Sequence, residues 1–188
     1  MSLSEIITDF CSRLAEAELR YLIGGSVASG IWGEPRQTND VDIEIWLSHS
    51  NKKRFLKVCE PPYHASPSEV DQAIDLIDEY RMVQVMQVDE VLKFDCFLQG
   101  HSPIDEDAYM HAVMAELQPG RPIRVACAEH ILVQKMRWFV AGNRVSERQW
   151  KDILAVARVS QSLDWPLVES WSRLLGLEDL VIDLRNQI

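Results

Sequence analysis

The chain has 188 residues, of which 47% are hydrophobic and 26% are charged, and its formal net charge at pH 7 is −10. This length predicts one domain, or one domain with a small appendage, and a core of useful size. No apolar run approaches the roughly 18 residues of a membrane span, and the N-terminus lacks a signal-peptide pattern. The acidic balance disfavours a protein that relies on many nucleic-acid phosphate contacts, although it does not exclude a local basic cleft.

The cysteines and histidines do not form a recognisable metal or disulfide pattern. The four cysteines are widely scattered without a CxxC pair, and the five histidines are not at zinc-ligand spacing. Reduced, partly buried thiols are typical of an intracellular protein. We therefore expect a cytoplasmic protein without a zinc site.

The first part of the chain predicts a helix over residues 3–18 and then a strand that ends at a glycine turn. The apolar run of residues 21–23 stops at Gly24-Gly25, and a small-residue segment of helical type follows at residues 27–31. Glycine tolerates a positive φ and lets the backbone approach a ligand closely. The first amide groups of the following helix are unpaired, so an anion such as phosphate fits there, beside the hydroxyl of Ser26.

The next predicted strand, residues 41–47, alternates apolar and polar side chains. Because side chains alternate along a strand, Asp40, Asp42 and Glu44 share the face opposite the core residues. The carboxylates would be about 7 Å apart, and like charges at that range raise each other's pKa unless a cation lies between them. Oxygen ligands favour Mg²⁺, Mn²⁺ or Ca²⁺. For Glu44, a simple solvent-facing position is the alternative.

These residues resemble the signature of a known superfamily. Gly25-Ser26, thirteen further residues and then Asp40-Val41-Asp42 resemble the motif of the nucleotidyltransferase fold, the DNA polymerase beta-like superfamily. The fuller string is similar to the branch of abortive-infection (AbiEii-type) toxin nucleotidyltransferases and their uncharacterised bacterial relatives. The matching residues of that string are Gly24, Gly25, Arg36, Thr38, Asp40 and Asp42. A glycine turn or a DxD alone is weak evidence, but the two in this order of elements are specific.

A third carboxylate is predicted on a later strand. Helices are expected over residues 48–59 and from Ser66 to about Tyr80, followed by consecutive strands at 82–88 and 91–98. Asp95 lies in the middle of the second, largely apolar strand, where an acid without a partner is unfavourable. A capping or salt-bridging role is one explanation. We expect instead that Asp95 lies beside the first two carboxylates, and the resemblance implies that it binds metal and activates the acceptor hydroxyl.

The last third of the chain is predicted to be helical. A hairpin over residues 112–126 follows a polar connection at 102–107, and helical patterns then begin near residues 129, 146, 164 and 177. The predicted fold class is α/β (α+β), with a mixed sheet backed by helices and followed by a C-terminal helical bundle. The predicted division is an α/β domain over residues 1–126 and a helical region over residues 127–188 that packs on it.

Four further residues are assigned to the nucleotide site. A lysine in an apolar helical stripe usually extends its charge to solvent, which is one interpretation of Lys135. The resemblance implies instead a lysine on the first C-terminal helix and an aspartate on the next, and Lys135 and Asp152 match those places. Lys135 would bind NTP phosphates, with Asp152 orienting it or an arginine. Arg36 and Thr38 are expected to bind phosphate or to shape their loop.

The predicted activity is Mg²⁺- or Mn²⁺-dependent transfer of NMP from an NTP to an acceptor hydroxyl, with release of pyrophosphate. Asp40 and Asp42 would bind metal and Asp95 would share a metal and accept the proton. The residues predicted to cradle the phosphates are Gly24, Gly25 and Ser26. The resemblance implies three acceptors, the 3′ end of a tRNA, a protein side chain or a small molecule, and the toxin subgroup implies an antitoxin partner. The alternative is a non-catalytic nucleotide-binding or interaction module, which would bind NTP without turnover.

Overall fold

The computed structural model describes residues 1–33, 38, 40–76, 81–160 and 163–188. Its helices are Leu3–Glu16 (α1), Gly25–Trp32 (α2), Lys52–Val58 (α3), Pro67–Asp75 (α4), Asp105–Met110 (α5), Ala128–Ala141 (α6), Glu147–Val159 (α7), Trp165–Leu174 (α8) and Glu178–Arg185 (α9). Its strands are Tyr21–Ile23 (β1), Asp40–Ile45 (β2), Tyr63–His64 (β3), Met82–Gln87 (β4), Leu92–Leu98 (β5), Val113–Gln118 (β6) and Arg121–Val125 (β7).

The strands form one mixed sheet, in the order β3-β4-β5-β2-β1-β7-β6 among the described residues. The strand β2 lies near the centre, parallel to β5 and antiparallel to β1. The pairing of β2 with β5 places Asp42 opposite Asp95. Because β1 is the other neighbour of β2, the glycine turn that follows β1 lies next to the same carboxylates.

One face of the sheet carries the apolar residues that alternation predicts. Val41, Ile43 and Ile45 are fully buried, and α1 covers this face, with the ring of Phe10 4.4 Å from that of Phe94. Burial of these side chains supplies most of the driving force for the layer. The opposite face of β2 and β5 is therefore left for the polar residues and for whatever helix covers them.

The C-terminal helices cover part of that opposite face. The indole N–H of Trp171 in α8 donates to Asp107 Oδ2 at 2.7 Å, and the hydroxyl of Ser160 donates to the carbonyl of Trp32 at 3.0 Å. These contacts join α8 and the end of α7 to the α/β elements. The contacts reach α5 and the end of α2, while the division of the chain into a domain over residues 1–126 and a helical region over residues 127–188 stays a prediction. Among the helices that the structure describes, none has the length and apolar character to cross a bilayer.

The structure differs from the predicted elements in three places. Residues 105–110 form the helix α5 and not a polar connection, because three acidic residues at its start interact favourably with the helix N-terminus. The two-residue strand β3 is too short to leave a sequence pattern. The helix α4 ends at Asp75, since Leu76 is already extended (φ −69°, ψ 131°). The predicted continuation to Tyr80 falls on residues 77–80, which lie outside the described residues.

Candidate active site

The glycine turn brings the start of α2 against the side chain of Asp42. Gly25 has a φ of +50°, and a Cβ atom at this position would lie 1.6 Å from Asp42 Oδ2. The backbone N–H of Gly24 donates to the carbonyl of Asp42 at 3.0 Å, and the backbone N–H of Ser26 donates to the Asp42 carboxylate. Only glycine at position 25 permits this approach, so the carboxylate lies directly on the anion-binding end of α2.

Two further carboxylates flank Asp42. Asp95 is its direct partner across the parallel pair of β2 and β5, and Asp95 Oδ1 accepts a hydrogen bond from Gln84 Nε2 at 2.9 Å. Asp40 lies two residues earlier on β2, and its Oδ1 accepts from the hydroxyl of Thr38 at 2.8 Å. The expected neighbourhood of the three acids on adjacent strands is present. Thr38 therefore contacts Asp40 directly, whereas its binding of phosphate or shaping of its loop stays a prediction.

The surroundings of Asp42 disfavour its ionised form. Burial, together with the negative charges of Asp40 and Asp95, raises the pKa of Asp42 to about 6, although the Ser26 N–H and the Lys135 charge act in the opposite direction. Close carboxylates that repel each other in this way are relieved by a cation. Lys135 offsets only part of this repulsion, so a bound cation would stabilise the ionised form of Asp42.

The donor chemistry fits a hard divalent cation. Asp40, Asp42 and Asp95 offer oxygen atoms only, which is the ligand type that Mg²⁺ and Mn²⁺ prefer. Across residues 1–33, 38, 40–76, 81–160 and 163–188, no group of three or more His, Cys, Asp or Glu side chains is already arranged as a metal cage. Mg²⁺ is commonly held by one or two carboxylates together with substrate phosphates. The pair of Asp42 and Asp95 fits that mode better than a preformed cage.

Asp42 opens into a cleft of about 380 Å³. Its walls are the end of β5 with residues 99–102, the helix α6 and the start of α7. Among the predicted residues, those that line it are Gly24, Gly25, Ser26, Asp42, Lys135 and Asp152. Asp40, Thr38 and Asp95 lie beside Asp42 and not among the lining residues, and Arg36 lies outside the described residues. Two arginines that sequence reasoning did not assign, Arg137 and Arg148, also line the cleft.

Lys135 and Asp152 meet across α6 and α7. Lys135 Nζ lies 3.0 Å from Asp152 Oδ2, and their side chains are 13% and 21% exposed. This is the geometry of an orienting partner, because a partly buried ion pair restricts the lysine to one direction. The ammonium group also acts on the charge of Asp42. Its assignment to NTP phosphates remains a prediction.

The alternative that Glu44 simply faces solvent is wrong. Glu44 is 8% exposed, and its two carboxylate oxygens lie 2.9 Å and 2.8 Å from the Nε2 of His130, which is fully buried. Because a carboxylate can only accept, Nε2 is the nitrogen that donates. The polar face of β2 is covered by α6 at this point. The sequence signal was a histidine on the inner face of α6, next to Ile131 and Leu132, which indicated packing more readily than a polar partner.

The Glu44–His130 pair yields a stability prediction. We expect His130→Ala to lower the free energy of unfolding by roughly 3 kcal/mol, because it leaves the Glu44 carboxylate buried without its partner. Urea unfolding would measure the loss. His111→Ala, at an exposed histidine, is the control, and His130→Ala combined with Glu44→Gln should recover part of the stability. An effect of His130→Ala no larger than that of His111→Ala would contradict a structural role for the pair.

No family model and no curated protein matches this chain. Solved structures do match. The solution structure of the antibiotic-resistance factor ANT(2'')-Ia superposes with a TM-score of 0.60 at 15% identity, over 98% of this chain and 96% of that chain. A crystal structure of ANT(2'')-Ia in complex with adenylyl-2''-tobramycin gives 0.55 at 13% identity, over 100% and 99%.

Two other proteins show the same likeness. An antigenic nucleotidyltransferase-like protein from Paracoccidioides brasiliensis superposes with a TM-score of 0.58 at 15% identity, over 97% of this chain and 92% of that one. The lincosamide antibiotic adenylyltransferase LnuA, with lincomycin bound, gives 0.50 at 13% identity, over 85% and 98%. At such identities the likeness establishes the fold alone. The chain has the nucleotidyltransferase fold, as the sequence predicted, while its place in the AbiEii-type branch is not confirmed.

Proposed function

We propose that this protein is a divalent-metal-dependent nucleotidyltransferase, which moves NMP from an NTP to an acceptor hydroxyl and releases pyrophosphate. The observation that carries the proposal is the position of Asp42, which lies on the glycine turn at the start of α2 and directly opposite Asp95. The helix end proposed for phosphate and the two carboxylates proposed for metal therefore lie side by side. Positioning phosphates and neutralising their charge is most of what such a transfer requires of a protein.

In this proposal the three aspartates divide the chemistry. Asp42 and Asp95 would hold the divalent cation, with Asp40 beside them. A cation bound there supplies charge neutralisation for the phosphates and orients the attacking and leaving oxygens. Asp95, held in place by Gln84 at 2.9 Å, would also accept the proton of the attacking hydroxyl.

The basic residues of the cleft would bind the triphosphate. Lys135 pairs with Asp152 at 3.0 Å and its charge acts on Asp42, and Ser26 lines the cleft at the start of α2. Arg137 and Arg148 line the same cleft, and a guanidinium group suits phosphate oxygens geometrically. The same lining carries four carboxylates, so a bound divalent cation would supply the further positive charge that a triphosphate needs: Asp42, Glu44, Asp105 and Asp152.

A small-molecule acceptor is the best supported of the three acceptor classes. The complex of ANT(2'')-Ia holds adenylyl-2''-tobramycin, and LnuA holds lincomycin. The acidic surface acts in the same direction, since it repels a tRNA. An antitoxin partner, implied only by the AbiEii resemblance, has no support from these neighbours and is not part of the proposal.

Nucleotide-linked stabilisation tests this function. We expect each accepted NTP to raise the melting temperature of the wild type only with Mg²⁺ present, and to leave Asp95→Asn unchanged, because the variant loses a metal ligand. Stabilisation reaches about 2.7 kcal/mol when the ligand is at 100 times its Kd. Transfer of labelled NMP to small-molecule acceptors, with pyrophosphate release, would follow. Binding without pyrophosphate release would favour the non-catalytic module, and no shift with any NTP at millimolar concentration would reject the proposal.

A further inference from the structure

Two aromatic side chains form a corner in the cleft, which we call the aromatic corner: Phe97 of β5 and Trp138 of α6. Their ring centroids are 5.6 Å apart and their planes are inclined at 65°. Both line the cleft, and Trp138 is 38% exposed although it belongs to the largest apolar side chains. Trp138 therefore combines an exposed part of its indole with a place in the cleft wall.

The aromatic corner lies on the same two elements as Asp95 and Lys135. Phe97 follows Asp95 by two residues on the same face of β5, which places it about 7 Å further along the strand. Trp138 follows Lys135 by three residues, or about 4.5 Å along the axis of α6. Because Lys135 acts on Asp42, both elements run from the carboxylates to the corner. The corner is therefore adjacent to the proposed phosphate site within the cleft.

We propose that the aromatic corner binds the base of the NTP by stacking on Trp138 and Phe97, with the phosphates at Lys135 and the glycine turn. This inference rests on the proposed function. The ribose is the spacer between phosphate and base in every nucleotide, and the short offset between Lys135 and Trp138 suits a spacer of that kind. Aromatic rings favour stacked and edge-to-face contacts, and a corner of two inclined rings offers one of each to a planar ligand.

The polar groups around the corner suit the edge of a base. The side-chain amides of Gln99, Gln134 and Gln149 line the same cleft. The Oε1 atom of Gln134 accepts from Arg137 Nη1 at 3.1 Å, which orients that amide. An amide side chain can both donate and accept, as the edges of all bases require. Stacking itself is tolerant of base identity, because every base has a π-face.

The experiment compares a nucleotide with its phosphate portion alone. Isothermal titration with Mg²⁺ would measure the affinity of each NTP and of inorganic tripolyphosphate for the wild type, Trp138→Leu and Trp138→Phe. We expect Trp138→Leu to weaken NTP binding roughly 5- to 100-fold and to change tripolyphosphate binding by less than about twofold. Trp138→Phe should be intermediate, since it keeps a ring. Phe97→Leu should give the same selective loss from the other side of the corner.

A matched tryptophan controls for general effects of the substitution. Trp165 of α8 is also partly exposed, contacts the guanidinium of Arg185 at 5.0 Å and does not line the cleft. Trp165→Leu should leave the affinities for NTP and tripolyphosphate unchanged. Its melting temperature, measured beside that of Trp138→Leu and Phe97→Leu, identifies any loss that comes from unfolding.

Three outcomes would overturn the inference, and they are distinguishable. An equal loss of NTP and tripolyphosphate affinity in Trp138→Leu would assign the residue to the phosphate site. Unchanged NTP affinity in both Trp138→Leu and Phe97→Leu would show that the corner does not bind the base. Tripolyphosphate and NTP that both fail to bind the wild type would reject the proposed function together with the base site.

Discussion

Asp42→Asn is expected to stabilise the nucleotide-free protein at neutral pH while it abolishes transfer. The wild-type carboxylate has its pKa raised to about 6 by burial and by the charges of Asp40 and Asp95, so its ionised form opposes folding. Asparagine keeps the shape and an oxygen that can accept from the Ser26 N–H, but it removes the charge. We expect a gain on the order of 1–3 kcal/mol in the free energy of unfolding. Transfer should fall at least about a hundredfold, since the interaction with metal and phosphates is lost.

The stability that Asp42→Asn gains over the wild type should increase as the pH rises. The pKa of Asp42 is higher in the folded state than its ordinary value of 3.8, so the folded protein binds the proton more tightly than the unfolded chain does. Below that ordinary value the carboxyl is protonated in both states and its charge has no effect on stability. The destabilisation grows as the pH rises towards about 6 and is complete above it. The difference in melting temperature between Asp42→Asn and wild type should therefore be small near pH 4 and largest above about pH 7.

Mg²⁺ and a second aspartate provide the controls for Asp42→Asn. Mg²⁺ should narrow the difference in melting temperature, because a cation relieves the repulsion in the wild type and has less to bind in the variant. Asp183→Asn removes the same unit of charge from an exposed position in α9 and should change stability little. A variant Asp42→Asn that is less stable than Asp183→Asn at neutral pH would mean that the carboxylate supports the fold.

The local pattern around the carboxylates was sufficient to predict their arrangement. Alternation along β2 separates Asp40 and Asp42 from the core residues, and an acid within the apolar strand β5 requires a polar neighbour. Both inferences use the two-residue period of a strand, which can be read from the sequence without knowing which strand lies beside it. The register of β2 with β5 then places Asp42 opposite Asp95. The glycine turn belongs to the same stretch of chain, so its position beside them followed from one local motif.

The contacts that the sequence did not predict depend on where α6 crosses the sheet. Glu44 and His130 are 86 residues apart, and Phe97 meets Trp138 only because the same helix covers the end of β5. The pattern within α6 identifies an inner and an outer face, but it does not show which strand residue each position meets. Lys135 was assigned through the resemblance, for the same reason. The position of α6 on the sheet therefore determines these contacts, and the periodicity within a single strand or helix does not predict it.

Gly25→Ala is expected to destabilise the fold and to abolish transfer. The new Cβ would lie 1.6 Å from Asp42 Oδ2 and 2.7 Å from Asp42 Cβ, and the φ of +50° is unfavourable for an L-residue. We expect a loss of about 2–4 kcal/mol in the free energy of unfolding from the backbone strain and the steric overlap together. Transfer should fall at least about a hundredfold, because the metal-binding carboxylate must move. Urea unfolding and the labelled-NTP assay would measure the two effects.

Gly176 and a double variant separate the two causes of that loss. Gly176 has a comparable φ of +68°, and a Cβ added there would meet no atom within 4 Å among the described residues, so Gly176→Ala should lose only the backbone contribution of about 1 kcal/mol. In an Asp42→Gly background the overlap is absent, and Gly25→Ala should then resemble Gly176→Ala in stability while transfer stays abolished. Equal losses from Gly25→Ala in both backgrounds would show that the backbone alone requires the glycine. A loss that shrinks without Asp42 would show that the chain keeps Gly25 in order to hold a carboxylate against a helix end, which is a requirement of the site and not of the fold.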